Sequence, residues 1–364
     1  MIALNKLTAI KISASVVILL ICYTVISNYY DLIESKGFID QISSLGFSAL
    51  IIVVPYFVII LSDTWGWFNC FSKKMLRRSY GKLFIIRAAT EALQTSLPGG
   101  AVYAELVRPH LLKKHLHLEY SESISANIIT KINILVAQVL FLICGLMILT
   151  INFSENISST QFVSIPMFYL STVIFISLIF LFTYLLYKQN LLLWIIRFLD
   201  RINYKVVRNF LRKIQQPLID INNTISIFYR NHKTKIFLTI VFFFFTWILF
   251  SVESLVILKV MGIDASISQM MLIESLISII RIFFFFIPGA LGPQDAGLII
   301  LFNLVGLPDP TLNAFIFVLL KRSKELIWIT IGYILLLFLG IRPGNLFTKK
   351  GMNFAASVEM PTKF

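Results

Sequence analysis

Ionisable side chains stand inside stretches of this sequence that are otherwise apolar. Arg281 is embedded in the run IIRIFF, and Glu274 lies seven residues earlier, on the same face of a helix. A charge that faced lipid at membrane depth would cost about 2.5–3.5 kcal/mol by insertion scales, so we expect Arg281 to face a cavity or a carboxylate. A guanidinium forms two parallel hydrogen bonds with a phosphate. The run therefore predicts either an anchor for a phosphate group or a structural ion pair with Glu274.

A second group of charges interrupts the last long apolar stretch, about ten residues from one end. At a rise of 1.5 Å per residue they would lie roughly 15 Å deep, which requires a water-filled or anionic cavity. Lys131 has a corresponding place in an earlier stretch. Asp63 and Glu253 lie in two further apolar stretches, where they could relay protons or balance these cations. The charges of the last stretch are Lys321, Arg322, Lys324 and Glu325.

Two Pro-Gly breaks interrupt apolar sequence about 190 residues apart, SLPGG at 96–100 and FIPGALG at 286–292. Non-helical backbone at membrane depth occurs only where protein or a water-filled cavity satisfies it, and matched breaks in two halves indicate a binding site. Half-helix N-termini there would attract anions, and the glycines would let a head group approach the backbone. The candidate residues at the breaks are Pro98, Gly99, Gly100, Pro288, Gly289, Gly292, Gln294 and Asp295. The ionisable candidates beside the first break are Arg87, Glu91 and Glu105, of which Arg87 and Glu91 have the spacing of an i,i+4 pair.

The composition predicts a polytopic membrane protein. Of 364 residues, 58% are hydrophobic and 14% charged, whereas about a quarter of a soluble domain is charged. The net charge of +14 comes largely from the connections 71–82 and 188–235, while the connection 28–44 is acidic. The positive-inside rule then predicts cytoplasmic N- and C-termini in the cytoplasmic membrane. Because the basic segments flank apolar stretches, nucleic acid is not an expected partner.

The apolar runs predict an all-α fold with about six transmembrane helices and two re-entrant hairpins that are broken at Pro-Gly. The spans are expected near 8–28, 45–68, 122–150, 163–187, 236–260 and 311–340. The second span, first hairpin and third span run in the opposite sense to the fifth span, second hairpin and sixth span, which is an inverted repeat. We expect one membrane domain over 1–343, with halves at about 1–187 and 236–343, a cytoplasmic connector at 188–235 and a cytoplasmic tail at 344–364.

The connector 188–235 carries a basic stripe at helical spacing. A helix with this stripe would lie on an anionic inner leaflet, and an ordinary cytoplasmic connector is the equal alternative. The stripe consists of Arg197, Arg201, Lys205, Arg208 and Arg212.

Neither a metal nor another cofactor is expected. Cys22, Cys70 and Cys144 have no metal-ligand spacing, and the histidines near Lys113 are interpreted as a solvated basic edge. No nucleophile-base constellation and no phosphate-binding P-loop stands out in the sequence, so an ATP-driven pump is unsupported.

Three motifs resemble a flippase-like integral membrane family. They are IPGALGPQDAG at 287–297, GLP at 306–308 and LLKRSKEL at 319–326, and SLPGG followed by Glu105 and Arg108 resembles the N-terminal signature of that family. The family includes the lysylphosphatidylglycerol synthase transmembrane domain and hopanoid-associated membrane proteins, and the resemblance covers essentially 10–340. It implies an inner-membrane protein that moves or handles polar lipids. Its motif often has Glu where Asp295 stands.

The resemblance leaves three functions open. The first is translocation of a polar or anionic lipid, with Arg281, Lys321 and Arg322 holding its phosphate. The second is a membrane subunit that scaffolds a separate transferase of a glycolipid or cell-envelope pathway. The third is a lipid-modifying transferase, although 364 residues leave no room for the soluble aminoacyl transferase domain of the two-domain lysyl-lipid proteins, so an enzyme is the less expected outcome.

Overall fold

A computed structural model describes residues 46–72, 79–97, 100–152, 219–284 and 292–341, with Val173, Ser177, Ile287 and Ala290 in addition. The described segments are helical and contain no strand. A 3-10 helix at Gly46–Ile52 leads into α1. The α-helices are α1 (Val53–Asn69), α2 (Ser79–Ser96), α3 (Gly100–Leu116), α4 (Tyr120–Asn152), α5 (Lys233–Val260), α6 (Ile267–Phe283), α7 (Pro293–Leu304) and α8 (Pro310–Phe338). Residues 219–231 are also helical.

The helices confirm the all-α membrane architecture. Three described stretches are long and apolar enough to cross a membrane, namely Leu50–Asn69, Tyr120–Ile151 and Lys233–Val260. α8 has 29 residues and would reach about 43 Å, but charges interrupt its middle. The predicted spans at 45–68, 122–150, 236–260 and 311–340 correspond to α1, α4, α5 and α8. The two hairpins correspond to α2–α3 and α6–α7.

Other predicted segments lie outside the described residues. They are the spans at 8–28 and 163–187, the basic stripe from Arg197 to Arg212, and the tail at 344–364. The described end of the connector, 219–231, packs its apolar side chains against protein: Ile221, Ile225 and Phe228 are buried in a core shared with α1–α4.

The hairpin arms begin and end where the local sequence directs. α6 starts with a capping box, in which Ser266 and Gln269 satisfy each other's backbone N–H groups. α7 starts with Pro293, directly after Gly292. Gly292 has a φ of +85°, a conformation that glycine adopts without steric cost. These signals separate α6 from α7 at the second break and turn the chain back on itself.

Helix packing repeats between the two halves. α1 packs on α2 as α5 packs on α6, α2 on α3 as α6 on α7, and α3 on α4 as α7 on α8. Each first hairpin arm also crosses into the other half, α2 against α8 and α6 against α4, while α1 and α5 pack on each other. This is the packing expected of the predicted repeat.

Small residues bring the crossing helices close together. Gly332 of α8 faces Ala92 of α2, Gly145 of α4 faces Ser275 of α6, and Gly66 of α1 faces the ring of Phe243. Small side chains at helix crossings are the usual means of close packing in membranes.

Candidate functional site

Glu274 is the centre of a buried ion-pair network. Its side chain is fully buried, and it accepts hydrogen bonds from Lys321 Nζ and Ser254 Oγ, each 2.6 Å from Oε1. Arg281 Nη2 donates to Oε2 over 3.1 Å, so the ion pair predicted from the seven-residue spacing is present. Arg281 also donates from Nε to Gln294 Oε1 over 3.2 Å, which ties α6 to α7.

Glu253 and Lys324 form a second buried pair beside the first. Lys324 Nζ donates to Glu253 Oε1 over 2.7 Å, and the side chains are 2% and 0% exposed. Lys324 Nζ also lies 4.5 Å from the ring centroid of Tyr56, a cation–π distance. The other carboxylate oxygen, Glu253 Oε2, is buried and has no hydrogen-bond partner among the described residues.

Asp295 holds the start of α7 and reaches α8. Its Oδ2 accepts the N–H of Gly292 over 3.0 Å, and its Oδ1 accepts Arg322 Nη2 over 2.8 Å. Arg322 donates from Nη1 to Glu325 Oε2 over 2.7 Å. The structure thus brings together most of the described C-terminal candidates. We call the set the C-terminal polar cluster: Glu253, Glu274, Arg281, Asp295, Lys321, Arg322, Lys324 and Glu325.

The first half carries a corresponding cluster around Arg108. This side chain is 1% exposed, and it donates to Glu105 and, over 3.0 Å, to Thr90 Oγ1. Lys131 Nζ lies 3.1 Å from the same Glu105 oxygen. Glu91 is 3.9 Å from Arg108. We call this set the N-terminal polar cluster: Asp63, Arg87, Glu91, Glu105, Arg108 and Lys131.

The expected i,i+4 pair between Arg87 and Glu91 is not formed. Arg87 Nε instead contacts Asp63 of α1, and the packing of α1 on α2 leaves these side chains only 7% and 15% exposed. Glu91, which is 24% exposed, accepts a hydrogen bond from Gln94. A carboxylate across a buried helix interface has therefore displaced the local partner.

Arg108 is not among the site residues predicted from the sequence. Its position three residues after Glu105, the i,i+3 spacing of a helical ion pair, is the signal that could have identified it. Tyr56, Trp328 and Ser254 were also missed. Their position beside the charges depends on which helix faces meet, and no local signal in the sequence reports that.

The two clusters match in sequence position. Asp63 and Glu253, Glu105 and Asp295, and Lys131 and Lys321 are each 190 residues apart, as are Pro98 and Pro288. Each cluster also contains equal numbers of acids and bases. Each of the matched clusters is therefore neutral as a whole, although it holds several charged groups.

A small cavity with one acid of each cluster in its wall lies where α1, α2 and α8 meet. Its lining includes Glu91 of the N-terminal polar cluster, Glu325 of the C-terminal polar cluster, and the rings of Tyr56 and Trp328. Its volume of about 10 Å³ is close to the space of one water. The cavity thus joins the two clusters at the contact between the halves.

A larger groove of about 380 Å³ opens beside the N-terminal polar cluster. Glu105 and Lys131 provide its charged end, and Lys131 is 41% exposed. One face of α4 provides the rest of the lining: Ile124, Asn127, Ile128, Ile132 and Leu135. The groove combines an apolar wall with an accessible ion pair.

The N–H groups of Gly100 and Gly292, at the two breaks, already have partners. Gly100 N–H donates to Leu97 O over 2.9 Å, and a Cβ at Gly100 would collide with carbonyls at the end of α2. Gly292 N–H is bound by Asp295. These two glycines therefore allow close turns at the breaks. Pro98, Gly99, Pro288 and Gly289 lie outside the described residues.

Among the residues that the structure describes, no group of three His, Cys, Asp or Glu side chains is arranged to hold a metal ion. Cys70 and Cys144 are free thiols.

Comparison with known proteins gives one match. No curated protein and no solved structure is found to match the chain. A family profile described as the lysylphosphatidylglycerol synthase TM region matches residues 8–340. This range includes both polar clusters, the groove and both breaks. The chain belongs to the lysylphosphatidylglycerol synthase TM region family and is a membrane protein of lipid-related processes.

Proposed function

We propose that the protein translocates a polar or anionic lipid across the membrane. The observation that carries this proposal is the pair of charge-balanced polar clusters at matched positions in two similarly packed halves. Ionisable groups at membrane depth usually mark a substrate or ion path. Matched sites in repeated halves are the arrangement from which transporters build a binding site that faces either side.

The exposed cations of the clusters are the proposed contacts of the lipid phosphate. In the second half, Arg281 is 27% exposed and Arg322 is 17% exposed, whereas Lys321 is almost fully buried. A phosphate that bound Arg281 would compete with Glu274, and Lys321 would keep that carboxylate neutralised. Lys321 thus allows Arg281 to move from Glu274 to a phosphate without leaving the buried Glu274 carboxylate unpaired.

The groove beside Lys131 supports a lipid as the cargo. An acyl chain would lie along Ile124, Ile128 and Leu135 while the head group meets Lys131 and Glu105. Ligand pockets of about 300–1,000 Å³ are typically apolar with few polar groups, and this groove has that character. Each cluster has equal numbers of acids and bases. A lipid head group could therefore bind by taking the place of one carboxylate in an existing ion pair.

The test is transfer of lipid between leaflets in vesicles that contain the purified protein. The vesicles carry fluorescent head-group-labelled lipid in a polar lipid extract, and dithionite reports which leaflet holds the label. We expect exchange above that of protein-free vesicles, and we expect Arg281→Ala to abolish it while the protein remains folded and monodisperse.

Lys259→Ala is the matched control, because Lys259 is an exposed cation at the end of α5, away from both clusters. It should exchange lipid like the unmodified protein. Unchanged exchange in Arg281→Ala would remove Arg281 from the mechanism. Exchange no faster than in protein-free vesicles for the unmodified protein would count against translocation and favour a scaffold for a separate transferase.

A further inference from the structure

The buried pair Glu253–Lys324 differs chemically from its counterpart in the first half. Asp63, 190 residues before Glu253, pairs with Arg87. A guanidinium stays protonated in proteins, whereas a buried lysine and a buried carboxylate can both change their protonation. Both partners of the Glu253–Lys324 pair can therefore change their protonation, whereas in the Asp63–Arg87 pair only the carboxylate can.

Glu253 also has an oxygen ready to receive a proton. Nearly all buried polar atoms in proteins have a hydrogen-bond partner. Glu253 is fully buried, and Oε1 accepts from Lys324, yet Oε2 has no partner among the described residues. A purely structural ion pair would be expected to satisfy both oxygens. A proton on Oε2 would displace no described hydrogen bond.

Titratable groups lead from this pair toward the small cavity. Tyr56 lies under Lys324 Nζ at 4.5 Å and lines the cavity of about one water, as do Glu325 and Glu91. The carboxylates close enough to act electrostatically on Tyr56 are Glu91, Glu253, Glu325 and Asp63. Tyr56 therefore contacts both the pair and the cavity, and Glu91 and Glu325 line the same cavity.

Ser254 links the pair to Glu274 and its cation partners on α6 and α8. Ser254, next to Glu253, donates to Glu274, which Lys321 and the partly exposed Arg281 also bind. Lys321 is in the electrostatic field of Glu253 and Lys324 as well as that of Glu274. The pair is therefore linked to the cavity through Tyr56, and to the proposed phosphate contact at Arg281 through Ser254 and Glu274.

We propose that Glu253 and Lys324 form a proton-binding site that couples lipid movement to a proton gradient. This inference rests on the proposed translocation. A proton from water in the cavity would bind Glu253 Oε2, forming an O–H bond as the bond to its carrier water breaks, and the same proton would later leave on the other side. Protonation would cancel the charge of Glu253, whose ion pair with Lys324 holds α5 to α8. Because α8 also carries Lys321 and Arg322, weakening this ion pair would shift two of the proposed phosphate contacts.

The experiment uses the full chain in vesicles of a polar lipid extract that contains phosphatidylethanolamine, phosphatidylglycerol and cardiolipin. Head-group exchange is measured with and without an imposed pH gradient, and an enclosed pH-sensitive dye reports proton entry. For the unmodified protein, we expect the pH gradient to accelerate head-group exchange. We also expect the vesicle interior to acidify faster than in protein-free vesicles. Glu253→Gln should exchange lipid at the gradient-free rate under both conditions and acidify no faster than protein-free vesicles.

Lys324→Arg supplies a second variant, in which a guanidinium that cannot release its proton would keep Glu253 as a charged carboxylate, as Arg87 faces Asp63 in the first half. We expect the same loss of gradient dependence. If one of the two variants fails to fold, the other still tests the proton site. Asp264→Asn removes one exposed acid beyond the end of α5 and should behave like the unmodified protein.

The outcomes separate this inference from the proposed function. Exchange that is independent of the gradient in the unmodified protein, or gradient-driven exchange that survives in Glu253→Gln, overturns the proton site and leaves translocation intact. If the unmodified protein exchanges no lipid, translocation falls. Proton entry that requires Glu253 would then still support the site, and its absence would overturn it.

Discussion

Gly332 of α8 lies against Ala92 of α2 so closely that a side chain has no room. A Cβ at Gly332 would stand 2.5 Å from Ala92 Cβ and 2.9 Å from the carbonyl oxygen of Ala88. Because α2 belongs to the first half and α8 to the second, this contact sets the distance between the halves. The same two helices place Glu91 and Glu325 on the small cavity.

Gly332→Ala should therefore force α2 and α8 apart. Overpacking of a close contact costs about 1–3 kcal/mol, and part of the clash here is with backbone that cannot rotate away. We expect a lower midpoint of thermal unfolding in detergent, followed by tryptophan fluorescence.

Gly81→Ala in α2 is the matched control, because a Cβ there meets nothing within 4 Å. Alanine in place of an exposed helical glycine stabilises by roughly 0.5–1 kcal/mol. The two substitutions should thus shift the midpoint in opposite directions. A Gly332→Ala protein as stable as the unmodified chain would show that α2 and α8 are not held at this distance.

The two buried lysines of α8 should differ in their importance for stability. Lys324→Met leaves Glu253 buried without an ion-pair partner, a change that typically costs about 3–5 kcal/mol. Lys321→Met leaves Glu274 with Arg281 and Ser254, so the loss should be clearly smaller. The free energy of unfolding in mixed micelles measures both.

The double variant Glu253→Gln, Lys324→Met tests the cause. It removes both charges together, so most of the stability lost in Lys324→Met should return. Equal losses for Lys321→Met and Lys324→Met, or no recovery in the double variant, would mean that the pairing of Glu253 does not determine the cost.

Much of the fold follows from local features of the sequence. The length of the apolar runs predicts the helices that are long enough to cross a membrane. The Pro-Gly motifs predict the separation of α2 from α3 and of α6 from α7, and the seven-residue spacing predicts the ion pair between Glu274 and Arg281. These features depend on hydropathy, helical period and helix-breaking residues, all of which can be read within a single segment.

The partners across helix interfaces could not be predicted in the same way. Arg87 has a carboxylate four residues away in Glu91, yet it binds Asp63 on another helix. Which of two carboxylates is chosen depends on the face of α2 that packs on α1. Lys324 and Tyr56 likewise meet only because α1 and α8 come together at the small cavity.

Filling the groove beside the N-terminal polar cluster should slow lipid exchange. Ile128 lines the groove on α4, so Ile128→Trp would place an indole where an acyl chain is proposed to lie. We expect head-group exchange in vesicles to fall well below that of the unmodified protein, with little change in thermal stability because Ile128 is only partly buried.

Ile143→Trp makes the same chemical change on the same helix, at a side chain that is 39% exposed and outside the groove. Ile143 lies eight residues beyond Leu135, about 12 Å further along α4 than the groove lining, so exchange should match that of the unmodified protein. A similar rate in both tryptophan variants would exclude the groove from the lipid path. A selective loss in Ile128→Trp would tie lipid movement to the space between the apolar face of α4 and the ion pair of Glu105 with Lys131.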